Sequence, residues 1–168
     1  VLTHAHEDHL GAVQYLWDRF KCPIYATPFT AHILARKLAE PGWEDDADVT
    51  VVPLQGTFSV GPFELELITL THSIPEPNAV VVRTPLGTVL HTGDWKFDPD
   101  PVIGDVSDQA ALRALGDDGV LAMVCDSTNV FSPGQSGSEG EILDSMTEVI
   151  AGCSGRVAVA CFATNVAR

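Results

Sequence analysis

Three of the six histidines fall within six positions in the stretch LTHAHEDHLG, residues 2–11, together with Glu7 and Asp8. Side chains two apart in an extended chain point to one side, so His4 and His6 can present two imidazoles to one ion. Asp8 and His9 follow where the chain turns into an amphipathic stretch, adding a carboxylate and a third imidazole. One ion cannot easily take all four groups. The H-x-H-x-D-H spacing therefore divides more naturally between two metals about 3.5–4 Å apart, an arrangement that clamps the attacking and leaving oxygens of phosphoryl transfer.

Two later residues extend the set. His72 closes the apolar-alternating run FELELITLTH and Asp94 closes TVLHTGD, each where a strand is expected to end. A carboxylate has two oxygens, which suits Asp94 to bridging two ions. His32 and His91 have no partner at ligand spacing and read as structural or surface residues.

These groups need elements to bring them together. Leu10, Val13, Leu16, Trp17 and Phe20 recur at helical spacing, so a helix is expected over residues 10–20, starting near Asp8. CPIYATP reads as a short strand with a turn at Pro28, and FTAHILARKLAE as a helix stopped by PGW. The acidic run 44–48 reads as a solvated loop. VTVVPL, GTFSVG, FELELITLTH and AVVVRTPLGTVLHTG, the last a hairpin about Pro85, make a sheet. Beyond it lie a helix DQAALRALG, a buried strand GVLAMVCD and a polar loop. Ser138 and Glu141 form a capping box for a helix to about Ala151, and a second buried strand is expected over residues 157–161. Strands interleaved with helices imply a layered α/β fold with sites at the strand ends.

The 168 residues, 45% hydrophobic, can bury a sizeable core as roughly one domain. Nine Lys and Arg against 23 Asp and Glu give a net charge of −14, which excludes a generally basic nucleic-acid surface; a polyanionic substrate would need local positive charge, such as metal ions. Cys22, Cys125, Cys153 and Cys161 show no CxxC spacing and read as reduced, buried thiols of a cytoplasmic protein. No apolar run is long enough to span a membrane. A start on VLTH without Met and a stop on NVAR suggest a piece of a longer chain.

The segments HAHEDH, THSIPEPNAVVVRTPLGTVLHTGDWKFDPDP, CDSTNVFSPGQSGSE and VAVACFATNVAR, in that order, resemble the β-CASP nuclease branch of the metallo-β-lactamase superfamily, and within it the bacterial ribonuclease J family. The resemblance covers essentially the whole chain, with FATN standing where FASN is commoner. It implies a partial αββα sandwich lacking its first strands, over residues 1–150, and the beginning of a β-CASP domain over residues 151–168. It implies one zinc on His4, His6, His72 and Asp94 and another on Asp8, His9 and Asp94, with manganese an alternative. One ligand histidine of the second ion would lie past residue 168, so this piece is expected to show weak or single-metal occupancy and little or no nuclease activity.

By the same resemblance Asp126 in DSTN orients a downstream catalytic histidine, although an Asp there can equally begin a turn by bonding the next backbone amides. Ser136 and Ser138, before a helix, could meet a substrate phosphate or serve as ordinary caps. Lys96 could add positive charge to the pocket or lie alone on the surface. The implied reaction is hydrolysis of RNA phosphodiester bonds, as a 5′-3′ exonuclease, an endonuclease or both, in a cytoplasmic homo-oligomer that meets other RNA-decay proteins. Coordination would lower the pKa of water from 15.7 to about 7 and so supply the nucleophile. The alternatives are a lactonase, thioesterase or β-lactamase on the same scaffold, a DNA-processing β-CASP nuclease, and an inert interaction module.

Overall fold

The computed structural model describes residues 1–43 and 45–164. Two sheets lie between helices. Strands β1 (Ile24–Ala26) and β2 (Val49–Val51) pair in parallel. The larger sheet runs in the order β3 (Thr57–Val60), β4 (Phe63–Thr69), β5 (Asn78–Thr84), β6 (Gly87–His91), β7 (Ala122–Val124). Its pairs are antiparallel as far as β6, and β7 lies parallel to β6.

Alternation along β4 and β5 gives this sheet two apolar faces. Leu65, Leu67 and Val80 pack with Val52 and Tyr25 towards the small sheet. Ile68, Ala79 and Val81 pack with Leu115 of helix α4 (Gln109–Asp118) on the opposite side. Outside the small sheet, Trp17 of α2 (Val13–Phe20) meets Leu34 and Leu38 of α3 (Pro28–Ala39) over Ile24. The layers are thus helix, sheet, sheet, helix, the expected αββα sandwich.

The first segment departs from expectation. Residues 1–6 join neither sheet as a strand; Leu2 N–H donates to Tyr25 O at 2.9 Å and Thr3 O accepts from Asn78 N–H at 3.1 Å, so the segment is stitched between the two sheets. The helix expected over residues 10–20 is split into one turn, α1 (Glu7–Leu10), and α2. At the break sits Gly11, where an added Cβ would lie 2.1 Å from Glu7 Oε1. That carboxylate reaches Lys37 Nζ at 2.6 Å and ties α1 to α3.

Other expectations also need correction. Phe20, at the end of α2, is exposed. The GVLAMVCD strand is short and its side chains are exposed, because among the described residues β7 is the last strand of its sheet and only β6 flanks it. Residues 157–161 form no strand among the described residues and are exposed, having no ladder to join. The cysteines are free but not buried: Cys22, Cys153 and Cys161 are exposed and Cys125 is half-buried, since their apolar sequence neighbours also lie at the surface. Asp46 of the acidic loop accepts from Trp17 Nε1–H at 2.9 Å, so that loop is partly anchored. Glu44 of the same loop and residues 165–168 of the FATNVAR segment lie outside the described residues. Helix α5 (Glu139–Ala151) starts with the expected capping box of Ser138 and Glu141. No helix among the described residues is long and apolar enough to cross a membrane.

Candidate metal centre

Strands β4 and β6 are both antiparallel to β5, and β7 is parallel to β6, so β4, β6 and β7 all end at one edge of the sheet. His72, Asp94 and Asp126 follow those ends by two or three residues. Gly93, at φ +58°, makes the turn that delivers Asp94; a Cβ there would lie 2.9 Å from Asn78 O and 3.1 Å from Thr3 Cβ. Only glycine combines that backbone conformation with so close an approach.

The opening segment reaches the same edge. Ala5 is buried with Leu10 and Ile74, which leaves His4 and His6 on its other side. Thr3 Oγ1 engages His4 Nδ1 at 3.1 Å, and His4 Nε2 lies 3.1 Å from His6 Nδ1. His72 Nε2 lies 3.1 Å from that same nitrogen. Asp94 Oδ2 stands 3.7 Å from His72 Nε2 and 4.0 Å from His4 Nε2. Its Oδ1 lies 3.2 Å from His9 Nε2, which in turn is 3.6 Å from Asp8 Oδ2. Two donor groups result, His4–His6–His72–Asp94 and Asp8–His9–Asp94, each with its ligand atoms within 4.8 Å of one another.

The donor chemistry fits divalent metal ions. A tetrahedral ion bonded to imidazole at about 2.0–2.1 Å separates its ligand atoms by about 3.3–3.4 Å, within the spread seen around the first group. Burial, with His9, His72 and His6 close by, pushes the His4 imidazole down to about 3. Burial and His6 also lower His72, against the opposing pull of Asp94 and Asp126. Both rings are neutral at pH 7 and offer lone pairs. Converging lone pairs repel one another unless a proton or a cation lies between them, and three imidazoles with carboxylates suit zinc or a similar first-row ion.

The remaining candidates fall at different distances from this centre. The Asp126 carboxylate accepts the amide and hydroxyl of Thr128 at 2.9 and 2.7 Å, the turn geometry open to it from sequence. These bonds hold it below the usual carboxylate range, against the effect of burial, and the Trp95 amide and nearby His72 add to the lowering. Ser138 Oγ accepts the Glu141 amide at 3.1 Å as a helix cap, while Ser136 is exposed before it. His32 is exposed on α3, and His91 Nδ1 accepts the Gly93 amide at 3.0 Å. Lys96 does not face the centre as a free charge; its Nζ lies 2.6 Å from Asp98 Oδ2. Sequence reasoning missed Asp98 and Thr71. The K-x-D spacing at residues 96–98 and the position of Thr71 beside a ligand were the available signals.

Comparison with known proteins agrees with this geometry. Residues 1–147 match the family model described as the metallo-β-lactamase superfamily. Over all 168 residues the chain is 46% identical to ribonuclease J of Sinorhizobium meliloti, spanning 30% of that protein. It is 41% identical to ribonuclease J of Thermus thermophilus, again with the whole chain matching 30% of the relative, and 36% identical to that of Helicobacter pylori, matching 24%. A crystallised Enterococcus faecalis protein of unknown function superposes with a TM-score of 0.66 at 18% identity, over 89% of this chain and 38% of its own; it shares the fold.

Proposed function

Because the chain belongs to the metallo-β-lactamase superfamily, we propose that it supplies the metal centre of a ribonuclease J-like enzyme that hydrolyses RNA phosphodiester bonds. The observation that carries this reading is the division of Asp94, one oxygen towards His4 and His72 and the other towards His9. His4, His6, His72 and Asp94 would hold one zinc, or manganese in its place, and Asp8, His9 and Asp94 would hold the other. When bound, such ions lower the pKa of water from 15.7 to about 7 and stabilise charge on phosphoryl oxygens.

The chain's own residues set the conditions for that chemistry. His4 is shut away from solvent, while His9, His72 and Asp94 keep partial exposure and Asp8 is largely exposed, so the centre is open to water on the side away from His4. Asp8 is therefore the carboxylate placed to orient an incoming group. Asp126, kept ionised, serves as an acceptor beside His72. Metal charge at the pocket offsets the repulsion that a chain of net charge −14 exerts on RNA.

A chimera tests the assignment. The chain replaces the matching 30% of the Sinorhizobium meliloti relative. The metal-loaded chimera is given 5′-labelled RNA, single-stranded DNA, nitrocefin and a thioester. RNA cleavage that disappears with His72→Ala supports the proposal, and the product ladder distinguishes exonuclease from endonuclease action. A folded, metal-loaded chimera that spares RNA and turns over another substrate overturns it.

A further inference from the structure

The DWKFD stretch beyond Asp94 holds a buried carboxylate that the metal centre does not use. Asp98 Oδ2 receives Lys96 Nζ at 2.6 Å and also the Glu139 amide, in the first turn of α5, at 2.9 Å. Its Oδ1 accepts the Asp100 amide at 2.9 Å. A carboxylate this well buried persists only with such a set of charged and amide partners.

The ion pair stands one step from two ligands. Lys96 N–H donates to Thr71 O at 2.9 Å, and the Thr71 hydroxyl donates to Lys96 O, forming an antiparallel bridge between the two residues. The same hydroxyl oxygen accepts the Asp98 amide at 3.0 Å, and Thr71 N–H donates to Ser107 Oγ at 2.8 Å. Thr71 immediately precedes His72, and Lys96 lies two residues past Asp94. The bridge therefore sets how far the exit of β4 stands from the exit of β6.

We propose that Asp98 is a positioning residue for the metal centre: it grips Lys96 and the start of α5 together, locks the Thr71–Lys96 bridge, and so holds His72 and Asp94 at ligand separation. This inference rests on the metal-centre reading above. Asp98→Asn keeps the shape but leaves the half-buried Lys96 without its counter-charge. Asp98→Glu restores the charge one methylene further out. Thr71→Val keeps the shape of the bridge residue and removes its hydroxyl.

The test is Co²⁺ titration of the 168-residue chain, following affinity and the visible d–d absorption. Asp98→Asn and Thr71→Val, which act on the ligands through the bridge and not by direct contact, are each expected to weaken Co²⁺ binding by about 10-fold, the low end of the cost of losing a direct partner of a metal ligand, and to shift the absorption band. Asp98→Glu is expected to recover part of both. Leu34→Val, in the core over the small sheet, should lower the melting temperature and leave band and affinity unchanged. An unaltered band and affinity in Thr71→Val and in a folded Asp98→Asn overturn the inference, as does equal weakening by Leu34→Val. Should Asp98→Asn fail to fold, Thr71→Val decides alone. An unsubstituted chain that binds no Co²⁺ removes the metal-centre reading and this inference with it, whereas normal binding with silent variants removes only this inference.

Discussion

His9 Nε2 lies 3.2 Å from Asp94 Oδ1, the carboxylate oxygen that His4 and His72 do not share. Through that contact Asp94, which follows the far hairpin, belongs to both donor groups at once, while His9 of the opening motif belongs to the second alone.

Removing Asp94 should therefore empty both positions. Asp94→Ala is expected to reduce the content of both ions, and to slow RNA hydrolysis in the chimera by more than the roughly 10- to 100-fold typical of an outer partner. His9→Ala should cost chiefly the ion of the Asp8 group. Elemental analysis after gel filtration checks this, and equal stoichiometry in the two variants would contradict the division of Asp94.

Acid should loosen the metal-free chain before its carboxylates titrate. An unfolded His4 takes up a proton near 6.5, whereas the folded one resists protonation down to about 3. The unfolded state binds more protons between these values, so His4's contribution is fully present above about 6.5 and falls as the pH drops towards 3. His72 acts in the same direction. Denaturant titrations in EDTA should show stability declining between about pH 6.5 and 5, where carboxylates remain charged. The decline should flatten in His4→Asn; a parent chain with constant stability over that window would refute the expectation.

Gly93→Ala should destabilise the chain by at least about 1–2 kcal/mol, the cost of a left-handed backbone at a non-glycine residue, with the contact at Asn78 O added. Gly116→Ala is the comparator. It lies in α4 with nothing within 4 Å of the added Cβ and should gain about 0.5–1 kcal/mol. Urea unfolding of both variants tests the contrast in sign.

Ser138→Ala should cost about 1 kcal/mol through the lost cap of α5. Ser138→Asp, an equally good cap, should retain stability. If the hydroxyl also meets substrate phosphate, the added charge weakens RNA binding by the chimera while the helix stays intact. Filter binding alongside thermal melts separates the two roles.

The donor set was legible because its spacing is chemical. Imidazoles two apart share one side of an extended segment even though residues 1–6 join neither sheet, and polar groups just past apolar alternating runs mark the exits of β4 and β6. The layered α/β class followed from the same alternation. Periodicity did not reveal the split between α1 and α2, because it records which face is apolar and not that the Glu7 side chain occupies the space beside Gly11. The runs at residues 119–126 and 157–161 read as buried for a related reason: apolarity states a preference for burial, and which neighbour provides the burial depends on the tertiary fold. Asp98 was overlooked because a lone carboxylate between aromatic and proline residues acquires meaning only when α5 arrives from 41 positions away.

The crowding at Gly11 bears on how this sequence can drift. Any side chain there must evict the Glu7 carboxylate, which breaks its link to Lys37 and frees the single turn that carries Asp8 and His9. A residue with no chemistry of its own thereby shapes the turn that carries two candidate ligands, and saturation mutagenesis should find side chains at position 11 poorly tolerated, since the Glu7 carbonyl, 2.6 Å from an added Cβ, cannot swing aside as its carboxylate can.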